Sequence, residues 1–176
     1  SQIVREQENF VDLFICETMA SIKEAKAAVM AAKTSGKTVW CGLTLEDKQS
    51  CELRSGEKLI DCIIEMQSLG QEEIVLNCSF PEVIDKGMMI LSQNTKFFGG
   101  YGNGFTSIEP LKTASDVSVL SARKDLGPKE YSKHALNWAN QGASVVGGCC
   151  EIGPSHIKHL YDTLIENNFE IVNSLS

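Results

Sequence analysis

The cysteines are the residues of this sequence with the most chemistry to offer, and there are seven of them. Three stand at the ends of apolar runs: Asn77-Cys78 closes one, and Gly147-Gly148-Cys149-Cys150 closes another. Parallel α/β folds gather functional side chains at the C-terminal ends of their strands. Two such ends would therefore bring three thiols to one face. Three thiolates with an open fourth position make a catalytic zinc site, and sulfur donors select zinc over magnesium or calcium. A substrate thiol reaching such a cation ionises at neutral pH without a base beside it. The competing reading makes them small apolar core residues, the role expected of Cys16, Cys41, Cys51 and Cys62. Successive side chains on a strand point to opposite faces. Cys149 and Cys150 can share one ion only if the backbone turns there, which the preceding Gly147-Gly148 permits.

Glu17 is the next candidate, because a carboxylate closing an apolar run is costly unless paired. It would hold a cationic group of a ligand; the alternatives are an exposed loop acid or an ion pair with a neighbouring lysine. His134 falls inside a helical segment, where a surface role is expected. His156 and His159 could share a helix face, but three-residue spacing is common by chance. Trp40 and Trp138 read as core aromatics. No glycine-rich phosphate loop follows any strand. The nearest approach, Gly99–Gly104, does not open a helix.

The elements that must position these residues alternate along the chain. Residues 11–18, 38–44, 74–78, 96–100 and 144–148 read as strands, the first of them buried. Helices are predicted over 22–35, 57–69, from Pro81 to about 93, over 128–141, and from Pro154 to about 168. Ser21 with Glu24 forms a capping box ahead of the first of these, and Gly36 and Gly70 are stops. Residues 101–126 carry little periodicity. Continuous apolar strands alternating with helices imply a parallel sheet covered by helices. The two architectures open at this point are a doubly wound sheet and part of a (β/α) barrel.

Composition narrows the function classes. The 176 residues predict one domain. A 43% hydrophobic and 22% charged content excludes a disordered chain. With 16 basic against 23 acidic residues the net charge is −7, and no basic cluster forms, which argues against nucleic acid. No apolar run approaches the length of a membrane span. Residues 1–9 lack the pattern of a signal peptide. An odd cysteine count without an export signal fits reduced thiols in the cytoplasm better than a disulfide framework.

Gly147-Gly148-Cys149-Cys150, followed by Pro154-Ser155-His156-Ile157, resembles the homocysteine S-methyltransferase family. The resemblance extends to Glu17-Thr18-Met19, Leu53-Arg54-Ser55-Gly56-Glu57, Asn77-Cys78, and Tyr131 through Trp138 to Gly142-Ala143. These runs keep the family's order from about residue 11 to residue 165. The family includes betaine-, S-methylmethionine- and cobalamin-dependent enzymes that make methionine. It implies a TIM barrel with zinc on Cys78, Cys149 and Cys150. It also implies that Glu17 holds the homocysteine ammonium, that Thr18 and Asn77 line the same pocket, and that a small donor supplies the methyl group. Two positions depart from the family pattern: Glu151, where glycine or a hydroxyl residue is common, and Tyr101-Gly102-Asn103, where the family has Tyr-Pro-Asn.

On this resemblance the chain is a partial TIM (β/α) barrel, with five parallel strands that match the family's fourth to eighth. The N-terminal strands, one of which carries a further acid that contacts homocysteine, are absent from these 176 residues. A five-stranded arc would expose two edges, pointing to self-association or to completion by a missing N-terminal segment. The expected activity is zinc-dependent transfer of a methyl group to homocysteine. The alternatives are a truncated, non-catalytic zinc-binding remnant acting as an interaction module, and an α/β domain whose cysteines are only core.

Overall fold

The helix starts and stops are set by local chemistry. The computed structural model describes residues 1–48, 50–113 and 116–172. It contains α1 (Gln2–Gln7), β1 (Leu13–Met19), α2 (Ile22–Lys33), β2 (Thr38–Leu43), α3 (Leu59–Ser68), β3 (Glu73–Asn77), α4 (Pro81–Asn94), β4 (Phe97–Gly102), α5 (Pro128–Asn140), β5 (Val145–Gly148) and α6 (Pro154–Glu166). Ser21 Oγ accepts from Glu24 N–H at 3.2 Å and starts α2. Glu24 reaches back not to Ser21 but to Ala20 N–H, at 2.8 Å. Prolines open α4, α5 and α6, where a missing N–H costs nothing.

The five strands are all parallel and lie in the order β1-β2-β3-β4-β5. A doubly wound sheet reverses its order at a switch point; this one does not, and its unbroken sequential order is that of an arc of a (β/α) barrel. One face carries Val39, Cys41, Leu43, Ile74, Leu76 and Phe98 into a core shared with Val29, Ile63, Met66, Ile84, Met88 and Trp138 of the helices. Alternation along the strands turns Trp40, Val75 and Phe97 to the inner face, where the Trp40 and Phe97 rings lie 5.1 Å apart. Both tryptophans are buried, as their sequence context suggests. Among the described residues no helix is long and apolar enough to cross a membrane.

Three features differ from the sequence expectation. β1 is not a buried strand: Ile15 is 43% exposed, and Glu17 and Thr18 are exposed. The cause is position, since β1 has a neighbour on one side only among the described residues. α1 lies in a polar segment that buries only Val4 and gives no helical periodicity. The aperiodic stretch opens with the end of β4 and then carries two 3-10 turns, Glu109–Lys112 and Val117–Val119.

α4 and α5 are tied by one acid. Asp85 accepts from Trp138 Nε1 at 2.6 Å and contacts His134 Nδ1 at 2.8 Å. His134 is thus a partly covered structural partner. Asp85→Ala is expected to cost about 2 kcal/mol, because the fully buried Trp138 is left with an unpaired N–H. Chemical denaturation of the variant checks this.

Candidate metal centre

The two cysteine-bearing turns meet across the end of β4. After Asn77 the backbone leaves β3 at Cys78 with φ +50. Cys78 N–H donates to Tyr101 O at 3.1 Å, and Cys149 N–H donates to Gly102 O at 2.9 Å. Beyond β5, Ile152 N–H donates to Cys149 O at 3.1 Å and closes a turn, while Gly104 N–H donates to Cys150 O at 2.9 Å. The Tyr131 hydroxyl takes a bond from Gly102 N–H at 2.9 Å and gives one to Gly147 O at 2.6 Å. It locks β4 to β5 directly beneath the double cysteine.

As a result the Cys78, Cys149 and Cys150 sulfurs all lie within 4.8 Å of one another. Cys149 and Cys150 sulfurs are 3.8 Å apart. Three sulfurs on a tetrahedral zinc at ~2.3 Å would stand about 3.8 Å apart, so the donor set fits that ion in chemistry and in spread. It is the one such cluster of metal-ligating groups among the described residues. The turn is made differently from the sequence expectation. The left-handed residue is Glu151, at φ +65, not either glycine. Gly148 is needed for space, since a Cβ there would lie 2.2 Å from Ile152 Cγ2.

The thiols hold one negative charge easily and two with difficulty. The neighbouring Cys78 thiol lowers Cys149 to about 6, against the opposing effect of burial. Cys78 is pushed far up, first by holding its proton on Cys149 and then by burial. Cys150 is raised by burial and then by the Cys149 charge. A divalent cation among the sulfurs removes that mutual penalty.

Glu17 and Thr18 sit on a bulge. The pairing of β1 with β2 slips between Cys16 and Met19, and Thr18 takes φ +64. Fully buried Asn77 pins the bulge from β3: Thr18 N–H donates to its Oδ1 at 3.0 Å, and its Nδ2 donates to Thr18 Oγ1 at 2.7 Å. Gly42 on β2 leaves the room, because a Cβ there would lie 3.1 Å from Asn77 Oδ1 and 3.2 Å from Glu17 Cα. Glu17 is exposed and makes no ion pair among the described residues, so of the two alternatives the lysine pair is not found there, while the exposed acid agrees with its position. Its charge is felt at two neighbours. The Tyr101 phenol is raised by burial and then by Glu17, and Glu17 works against ionisation of Cys149. Glu17, Tyr101 and the thiols therefore open on one mouth.

The histidines do not join it. His156 Nε2 meets Leu126 O at 3.1 Å, and His159 Nδ1 meets Ser132 Oγ at 3.1 Å. Sequence reasoning assigns no role to Tyr131, although its run is among those that resemble the family. A tyrosine inside an amphipathic helix carries no signal that its hydroxyl joins two strands.

A family model described as homocysteine S-methyltransferase matches residues 1–164. The chain belongs to the homocysteine S-methyltransferase family. It is 26% identical over 152 residues to homocysteine S-methyltransferase YbgG of Bacillus subtilis, covering 85% of this chain and 45% of that protein. Homocysteine S-methyltransferase 1 of Zea mays is 26% identical over 156 residues, covering 84% and 45%. The metallated form of the homocysteine methyltransferase MmuM from Escherichia coli superposes with a TM-score of 0.66 at 20% identity, over 91% of this chain and 48% of that one. The chain thus spans about half the length of the relatives it matches, and its five strands are an arc of their TIM-barrel fold.

Asn77→Ala is expected to lower stability by about 1–3 kcal/mol, at about 0.5–1.5 kcal/mol for each of the two hydrogen bonds lost to Thr18. Hydrogen exchange at the Thr18 amide should accelerate more than at β3 amides. An unchanged Thr18 rate would mean that the bulge does not depend on Asn77.

Proposed function

We propose that this chain carries the zinc- and homocysteine-binding half of a methyltransferase that moves a methyl group from a small donor to the thiol of homocysteine, giving methionine. The observation that carries this reading is the meeting of three thiols from two strand ends, with the Glu17-Thr18 bulge pinned to Asn77, the residue before Cys78. Family membership over residues 1–164 supports it.

Cys78, Cys149 and Cys150 would hold the zinc. When bound there, zinc keeps a thiol at its open position deprotonated and therefore nucleophilic at neutral pH. Glu17 takes the ammonium of homocysteine, its carboxylate oriented by the bulge. Thr18 lines the same pocket. Asn77 serves that pocket through Thr18, since its amide is spent on the Thr18 backbone and hydroxyl. The homocysteine sulfur forms a bond to the donor methyl carbon as the carbon–heteroatom bond breaks, and that electron pair leaves with the donor. Betaine, S-methylmethionine, S-adenosylmethionine and methylcobalamin all supply such a methyl group. On this reading the rest of the barrel mouth, with the further acid that the family resemblance implies, would come from strands outside these 176 residues. Two edges of the arc, β1 and β5, are where they, or a second copy of the chain, would pair. All seven cysteines are free, which suits the reducing cytoplasm.

A second reading keeps the three-thiol cluster but not the chemistry: a zinc-binding remnant, without methyl transfer, that acts as an interaction module.

Native mass spectrometry and calorimetry separate the two. We expect a single zinc per chain, lost in Cys149→Ser together with homocysteine binding. Glu17→Gln should keep the zinc and weaken homocysteine by roughly 10- to 100-fold, the loss of a charge-assisted hydrogen bond. Zinc bound with no affinity for homocysteine would favour the remnant. A folded chain that takes no zinc would overturn both.

A further inference from the structure

The turn that delivers Cys78 is gripped at three consecutive residues by a single loop. Arg54 Nη2 donates to Cys78 O at 3.1 Å, and Thr44 Oγ1 donates to the same oxygen at 3.4 Å. Leu45 N–H donates to the fully buried Ser79 Oγ at 2.8 Å. Asp47 Oδ1 accepts from Phe80 N–H at 3.2 Å, one residue before α4 begins. The two charged arms are themselves joined. Arg54 Nη1 and Nη2 lie 3.4 and 3.5 Å from the Asp47 carboxylate, and Arg54 Nε donates to Thr44 Oγ1 at 3.0 Å. Both side chains are mostly covered, at 18% and 17% exposed.

Such a device answers a specific difficulty. A cysteine at φ +50 is in a conformation that costs about 1–2 kcal/mol for a residue with a Cβ. It persists only where the surroundings over-determine it. Cys78 N–H is held by Tyr101 O, which fixes one side of the residue. The other side, its carbonyl, has only Arg54 and Thr44 among the described residues. The planar guanidinium spans three partners at once, which the single nitrogen of a lysine does not.

We propose that Arg54, braced by Asp47, is a positioning residue that fixes the Cys78 peptide and so aims its thiol at Cys149 and Cys150. This rests on the reading that Cys78 holds the metal.

Cobalt(II), titrated into the reduced full chain, reports the site through its sulfur-to-metal charge-transfer band. Arg54→Lys is expected to weaken cobalt by roughly 10- to 100-fold, the range for residues that orient ligands. It should also alter the band, with a far smaller change in the unfolding midpoint of the metal-free chain. Asp47→Asn should do the same in kind, and it decides the matter if Arg54→Lys does not fold. Unchanged affinity and band in these variants would overturn the inference. So would an affinity loss fully matched by lost stability of the metal-free fold. Cys78→Ser distinguishes the two levels: wild-type cobalt affinity there removes Cys78 from the site and the inference with it. Loss there, without loss in the other two variants, overturns the clamp alone.

Discussion

Two consecutive carbonyls on β4 fix the distance between the thiols. Tyr101 O takes the Cys78 N–H and Gly102 O takes the Cys149 N–H, so the turns leaving β3 and β5 are hung from one piece of backbone. These are ordinary parallel-ladder bonds continued past the strand ends. Their consequence is that sheet register becomes site geometry: a one-residue slip of β3 or β5 against β4 would turn a thiol to the other face. The Tyr131 hydroxyl, placed between Gly102 and Gly147, guards one of the two registers.

The cluster so made is electrostatically unfavourable without a cation. The Cys78 thiol beside it favours ionisation of Cys149, and the same interaction, with burial, holds Cys78 protonated. Glu17 adds a further negative charge at the mouth. Four acidic groups facing one opening make little sense for stability, and they make good sense around a divalent metal and an ammonium group. Strain points the same way. Of the five non-glycine residues at positive φ among the described residues, Thr18, Cys78 and Glu151 lie within this site, and Cys51 and Asn168 lie outside it. Backbone strain collected at one mouth is expected where function, not stability, sets the conformation.

Much of this is legible in the residues. The helices announce themselves through Ser21, the three prolines and the stop glycines, because those signals act within one turn. The strands are legible as apolar runs, and the ends of those runs are enough to locate Cys78, Cys149, Cys150 and Glu17. What escapes is what depends on neighbours distant in sequence. The exposure of β1 follows from its place at the edge, not from its composition. The bulge at Thr18 needs Asn77 and Gly42 from two other strands. Residue 151 as the left-handed position is masked by the glycines just before it, of which Gly148 serves to admit Ile152. Arg54 and Asp47 sit in a polar loop with no periodicity, so nothing local tells their reach to Cys78 and Phe80.

If Cys78, Cys149 and Cys150 together bind one zinc whose open position takes the homocysteine sulfur, X-ray absorption at the zinc edge of the loaded chain will read it out. Three sulfur neighbours at ~2.3 Å with one lighter atom are expected, changing to four sulfurs on adding homocysteine. A shell dominated by nitrogen or oxygen, or one that homocysteine leaves unchanged, would contradict it.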